Sequence, residues 1–153
     1  MIMLWLVIGG ILYILVTKFI PGFGAPRVRT DAAGAIILTA DRNGNYEIGG
    51  AINGVPVEFI VDTGASKVSV SQTMATQMGL SGCLPSESST ANGNVAACIA
   101  IAHNLEFGNF RMTNVPVSVM PHMDGMALLG MNALGSLHIT QSNGQMVIAA
   151  PTQ

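Results

Sequence analysis

Charge is what this 153-residue chain has least of: charged side chains make up 9% of it, against about a quarter in an average soluble chain. Six Lys and Arg stand beside eight Asp and Glu, for a formal net charge of −2. Six scattered cations cannot neutralise many phosphates, so no nucleic-acid partner is expected. Cysteines number two, too few for a disulfide scaffold. His103, His122 and His138 are far apart and the two cysteines lie fifteen residues apart, so no metal-ligand spacing is present. Polar disorder is excluded as well, because half the chain is apolar and its mean hydropathy is +0.52. The length allows one domain. Eighteen glycines, with a surplus of Asn, Ser and Thr, imply many tight turns and therefore an all-β body.

Part of the apolar excess is local. No charged side chain occurs from Met1 to Thr17, and after Lys18 the run continues through Phe19-Ile20 to Pro21. A helix over residues 1–20 would measure about 30 Å, enough to cross a hydrocarbon core. Lys18 could snorkel, and Trp5 and Tyr13 are amphipathic. A cleaved signal peptide is the rival, but no basic residue precedes the run and no clear small-residue cleavage site follows it. The expectation is a retained single-pass anchor over 1–20, a Gly/Pro/Ala-rich linker over 21–33 and a domain over 34–153. Lys18 near the end of the anchor and Arg27 and Arg29 after it, with only the amino terminus before it, lean the body toward the cytoplasm. Three charges leave the membrane side open.

Beyond the linker, short apolar runs alternate with turn signals. Strands are expected at 35–40, 46–52, 55–61, 95–102, 105–107, 115–120, 137–140 and 146–149. Asp41-Arg42-Asn43-Gly44-Asn45 reads as a hairpin loop, Asn53-Gly54 as a type I′ turn and Ser142-Asn143-Gly144 as another turn. Pro56 suits a strand start or an edge. Ser71 is a good N-cap for a short helix ending near Gly79, with Met74 and Met78 on one face.

One segment departs from this pattern: Phe59-Ile60-Val61-Asp62-Thr63-Gly64-Ala65-Ser66. An apolar strand runs straight into an acid, which is costly to bury unless it is paired or hydrogen-bonded. Gly64 lets the backbone turn sharply, and the Thr63 and Ser66 hydroxyls can donate to the carboxylate or tie down the turn. An Asx-turn, with Asp62 merely bonding its own backbone, is the bland explanation of Asp-Thr-Gly alone. The context argues for more. The segment resembles the catalytic loop of aspartic peptidases, in which apolar residues precede Asp-Thr/Ser-Gly. A second signature of that family, two apolar residues and a glycine leading into a short helix, is matched by Leu128-Leu129-Gly130 within Ala127–Leu134. Between them Thr90-Ala91-Asn92-Gly93 suits the tip of a hairpin flap, with Asn92-Gly93 supplying the turn. The three features stand in the family's order and span roughly residues 35–149.

Only one Asp-Thr-Gly is present, since Asp124-Gly125 lacks both the hydroxyl residue and the preceding apolar strand. The chain is thus similar to the retroviral type and, with its apolar N-terminus, to bacterial retropepsin-like peptidases. The resemblance implies a retropepsin-like half-barrel with one or two short helices, preceded by the membrane helix at the bacterial inner membrane. It implies a homodimer in which each subunit supplies one Asp62, a protein or peptide substrate, and no metal or organic cofactor. It also implies that Thr63 braces the paired loops, Gly64 admits an amide close to the catalytic oxygens, Ala65 completes the loop and Ser66 bonds Asp62. Gly135-Ser136 stands where relatives keep a bulkier helix.

Two other functions compete. The apolar-Asp-x-Gly-x-Ser pattern of actin-like ATPases needs two large α/β lobes, which 153 residues cannot supply. A membrane-tethered module on the same fold could grip an extended peptide without cutting it, although a pure binder has no need of a buried acid pair. Cys83 and Cys98 are compatible with a disulfide near the flap base or with two reduced thiols.

Overall fold

Asn-Gly and single-Gly punctuation cuts the body into short strands, as the apolar alternation requires. The computed structural model describes Trp5, Gly9, Gly10, Tyr13 and residues 27–90, 93–121, 123 and 125–151. Within these, the strands are β1 (Val28–Thr30), β2 (Ile36–Thr39), β3 (Glu47–Ile52), β4 (Val55–Val61), β5 (Val68–Ser71), β6 (Leu84–Thr90), β7 (Gly93–Phe107), β8 (Phe110–Met120), β9 (Ala127–Leu129), β10 (His138–Ser142) and β11 (Gln145–Ala149). Two short helices join them, α1 (Gln72–Gln77) and α2 (Met131–Leu134). The body is mostly β with two short helices, as the composition implied.

Six strands close on themselves. The order β3-β4-β9-β5-β8-β7 returns to its start because β7 also pairs with β3, through Gly50↔Phe107 to Ile52↔Leu105. Closure removes the free edges that an open sheet would leave for aggregation. The long strand β7 serves three partners: its second part pairs with β8 and closes the barrel against β3, while its first part pairs with β6 in a hairpin standing off the ring. A separate antiparallel sheet, β1-β2-β11-β10, lies alongside.

Alternation places the core. Val57, Phe59 and Val61 of β4 are buried while Glu58 between them is exposed. Val115, Val117 and Val119 of β8 are buried as well, with Pro116 exposed and Ser118 buried between them. Burying an apolar side chain of this size contributes roughly 1.5–3 kcal/mol, so this alternating set outweighs any surface term. The β3–β4 turn has both central residues in the left-handed region, Asn53 at φ 50° and Gly54 at φ 81°, as a type I′ turn demands. Pro56 sits where β4 is paired on one side only, since β9 joins β4 from Phe59 onward. Ser71 caps α1, its hydroxyl accepting from the Met74 amide at 3.1 Å.

Several expectations change. The loop at 41–45 is not a hairpin, because β2 pairs with β1 and β11 while β3 belongs to the barrel. The stretch expected as linker contains β1, whose residues pair with β2 from Val28↔Leu38 to Thr30↔Ile36. The strands expected at 95–102 and 105–107 are one continuous β7. Strand β6 was not foreseen: its sequence, Leu-Pro-Ser-Glu-Ser-Ser-Thr, has no apolar alternation, and it is held by its ladder to β7.

The expected single-pass membrane helix, and the inner-membrane location drawn from it, are corrected. Among the described residues no helix is long and apolar enough to cross a membrane. Helix α1 has 6 residues and α2 has 4, about 9 Å and 6 Å at 1.5 Å per residue, against a hydrocarbon core of about 30 Å. Apart from Trp5, Gly9, Gly10 and Tyr13, residues 1–20 lie outside the described residues.

The 41–45 loop carries a pH dependence. Asp41 Oδ1 accepts from the amides of Asn45 and Asn43, both at 2.8 Å. The Asn45 amide above all holds this carboxyl below its ordinary value; burial opposes it, and the Asn43 amide and the Arg27 charge add to the lowering. A depressed native pKa stabilises the fold above the unfolded-state value, and that gain is lost as pH falls through the native one. Wild type is therefore expected to exceed Asp41→Asn in Tm at neutral pH, with the difference vanishing on acidification below the carboxylate range. Thermal melts of both proteins across pH check this.

Candidate active site

Strand β4 delivers Asp62 to the end of the barrel. The Asp62 amide donates to the Leu129 carbonyl of β9 at 3.0 Å, so the acid begins where the β4–β9 ladder ends. The chain then turns back on itself, with the Gly64 amide donating to Asp62 Oδ1 at 2.8 Å and the Ala65 amide donating to the Asp62 carbonyl at 3.2 Å. One carboxylate oxygen is thus fixed by a backbone amide, and the side chain is half-buried. Oδ2 has no hydrogen-bond partner among the described residues.

The loop from Asp62 to Lys67 arches over the end of β9, which lies between β4 and β5. Gly130 passes beneath the arch. A Cβ there would overlap the Lys67 backbone, with Lys67 N at 2.8 Å, so the residue has to be glycine for steric reasons. The Met131 amide donates to the Ala65 carbonyl at 2.8 Å, and the Asn132 amide donates to the Ser66 carbonyl at 3.1 Å. The start of α2 is therefore bonded to the acid's own loop. Leu129 and Gly130 are buried behind the loop, and Leu128 faces the cleft.

A cleft of about 370 Å³ opens over this loop. Asp62, Gly64, Ala65, Ser66 and Leu128 line it together. Thr63 is exposed and lies outside the cleft wall. The hydrogen bond from Ser66 to Asp62 that the resemblance implied is not among those the described residues make; the Gly64 amide is the donor instead. The β6–β7 hairpin overhangs the cleft through Glu87 and Ser88. Its end is at Thr90↔Gly93, with Gly93 at φ 105°; Ala91 and Asn92 lie outside the described residues. Cys83 and Cys98 form a disulfide, with Cα atoms 5.4 Å apart, that ties the entry of β6 to β7.

Asn132 is the residue that sequence reasoning passed over. Its Oδ1 accepts from the Val68 amide at 2.8 Å and its Nδ2 donates to the Pro116 carbonyl at 2.7 Å. It thereby joins α2 to the adjacent strands β5 and β8, next to the acid loop. An Asn directly after a Leu-Leu-Gly-Met run was the available signal. Asn132→Ala leaves the amide of buried Val68 without its partner and is expected to cost about 1–3 kcal/mol, read as a lower midpoint in urea. A lowered kcat is expected with it, since the arch loses its brace.

A closed six-strand ring, an acid at the mouth of β4 and a second strand pinned beneath its loop make this a retropepsin-like aspartic protease fold. The family model described as "gag-polyprotein putative aspartyl protease" matches residues 48–136. That is more than half of the chain, which therefore belongs to this family. A retropepsin-like aspartic protease from Rickettsia conorii superimposes with a TM-score of 0.66 at 25% identity, covering 80% of this chain and 95% of that one. EIAV protease complexed with the inhibitor HBY-793 superimposes at 0.54 with 15% identity, over 64% and 92% of the two chains, a likeness of fold alone. In sequence, an uncharacterized protein in the cobV 5′ region of Sinorhizobium sp is 26% identical over 135 residues, 83% of this chain. The alignment spans 56% of that relative's length.

Proposed function

We propose that this chain is an aspartic endopeptidase whose domain, residues 34–153, works as a homodimer with one Asp62 from each subunit. The observation that supports it most is Asp62 itself: a strand-end carboxylate in the lining of a cleft, with one oxygen fixed by the Gly64 amide. Two such carboxylates about 3 Å apart cannot both ionise, so the pair holds one proton, as in aspartic proteases generally. The ionised member takes a proton from water, which attacks the scissile carbonyl, and the protonated member donates to the carbonyl oxygen. On collapse the carboxyl that took the water proton gives it to the leaving nitrogen, the C–N bond breaks, and the other carboxylate takes the hydroxyl proton, so the pair again holds one proton. The chemistry calls for no metal or organic cofactor. Leu128, Leu129 and Gly130 hold the acid loop from below, and Thr63, Gly64, Ala65 and Ser66 form it. The hairpin end at Thr90, Ala91, Asn92 and Gly93 acts as the flap over the substrate.

Digestion of a peptide library at mildly acidic pH, with and without pepstatin, tests the reading. Pepstatin-sensitive cleavage is expected, and its absence from the pure, folded protein overturns the assignment. The dimer has its own test. Mixing wild type with Asp62→Asn chains leaves heterodimers one titrating carboxylate, so activity is expected to fall with the square of the wild-type fraction. A linear fall would show that one chain suffices.

A further inference from the structure

Three ionisable side chains line the cleft: Asp62, Lys67 and Glu87. The chain has only two lysines and four glutamates, so two unused charges at one opening are a large share of a small supply. Lys67 ends the acid loop just before β5, and Glu87 lies on β6, opposite Ala96 of β7. The two therefore belong to different walls, one to the barrel and one to the overhanging hairpin. Neither is in an ion pair among the described residues, where the pairs are Arg27–Glu47 and Arg111–Glu106. Neither side chain takes part in a hydrogen bond there either: the Lys67 and Glu87 carbonyls accept from Ser69 and Ser86 hydroxyls. The floor between them is apolar and hydroxyl-bearing, with Ile99, Met120, Leu128 and Ser118.

An occupant of such a cleft meets a cation on one wall and an anion on the other. Among the described residues strand β6 ends the order of its sheet and pairs only with β7, so an extended peptide can add to its other edge. Side chains of an extended peptide alternate in direction, which brings some toward the barrel wall and others toward the hairpin. We infer that Lys67 and Glu87 are specificity-determining residues, and that the cleft selects peptides carrying an acidic side chain against Lys67 and a basic one against Glu87. This rests on the peptidase reading for its catalytic readout. In a two-fold pair each half repeats the arrangement, so the selection acts on both sides of the scissile bond.

The test scans single Asp and single Lys substitutions through one otherwise uncharged peptide with an apolar core, using the full chain. Wild type is expected to favour Asp at one position and Lys at another by about fivefold in kcat/KM, as partly exposed charge pairs allow. Both preferences are expected to shrink in 1 M salt, where the screening length is about 3 Å. Lys67→Glu is expected to reverse the Asp preference alone, and Glu87→Lys the Lys preference alone. A merely structural role would lower all peptides together. Flat profiles in wild type, or preferences that survive both charge reversals, overturn the inference. Should no peptide be cleaved, the peptidase reading fails, and the same scan read as Kd by fluorescence anisotropy still decides the charge selection. A Kd pattern that inverts with Lys67→Glu upholds it, and a Kd independent of peptide charge sinks it.

Discussion

Asp62→Asn is expected to remove peptide cleavage, lowering kcat by about a thousandfold or more, while the protein keeps its fold. General acid–base chemistry is worth roughly 10²–10⁴ in rate, and under the proposed dyad the substitution strips both roles, because the same side chain would supply them in each subunit. The fold survives for a structural reason. The Gly64 amide bonds Asp62 Oδ1, and the amide oxygen of Asn can accept the same bond at the same place. The Asp62 amide keeps its bond to Leu129, since it is backbone. A change in unfolding free energy below about 1 kcal/mol is expected, as for substitutions that open no cavity and orphan no buried group. Kinetics on a cleaved reporter peptide, with urea denaturation of the same preparations, measure both. Retention of wild-type kcat would remove Asp62 from the mechanism.

Gly130→Ala has the opposite profile, with stability and activity lost together. The added methyl group would overlap the backbone of Lys67, and backbone cannot rotate aside as a flexible side chain can. Either β9 withdraws from beneath the arch or the arch lifts. Overpacking of this kind costs about 1–3 kcal/mol in a tight core, occasionally more, and the upper end is expected because two main-chain segments collide. Lifting the arch also strains the bonds from Met131 to Ala65 and from Asn132 to Ser66, so Asp62 loses its position. The urea midpoint and kcat are expected to fall in the same protein. A stable but inactive Gly130→Ala would mean that the arch yields without loosening the barrel.

The parts of this molecule legible in the sequence are local. The Asn53-Gly54 turn was readable because a type I′ turn needs two residues that tolerate positive φ, and few others do. The Ser71 cap was readable because a hydroxyl three residues before an amide on a short apolar helix has one obvious partner. The loop at Asp62 stood out because an acid ending an apolar strand contradicts its surroundings. By contrast, the run before Pro21 invited a membrane helix from hydropathy alone, and no helix of the described residues meets that length. Strand β6 carried no periodic signal, since its order comes from β7 and from the Cys83–Cys98 disulfide rather than from a buried face.

The sequence by itself determined where strands stop, where the chain turns and where an acid follows an apolar strand, because these depend on φ preferences and burial patterns within a few residues. Only the tertiary structure decided that β4 and β5 take β9 between them, that β7 closes the barrel at one end and carries the hairpin at the other, and that Asn132 braces the acid loop. It alone placed Lys67 and Glu87, twenty residues apart in sequence, on facing walls of one cleft. Such pairings are chosen by the sum of long-range ladders and core packing, each contributing little by itself. No window of neighbouring residues contains that sum.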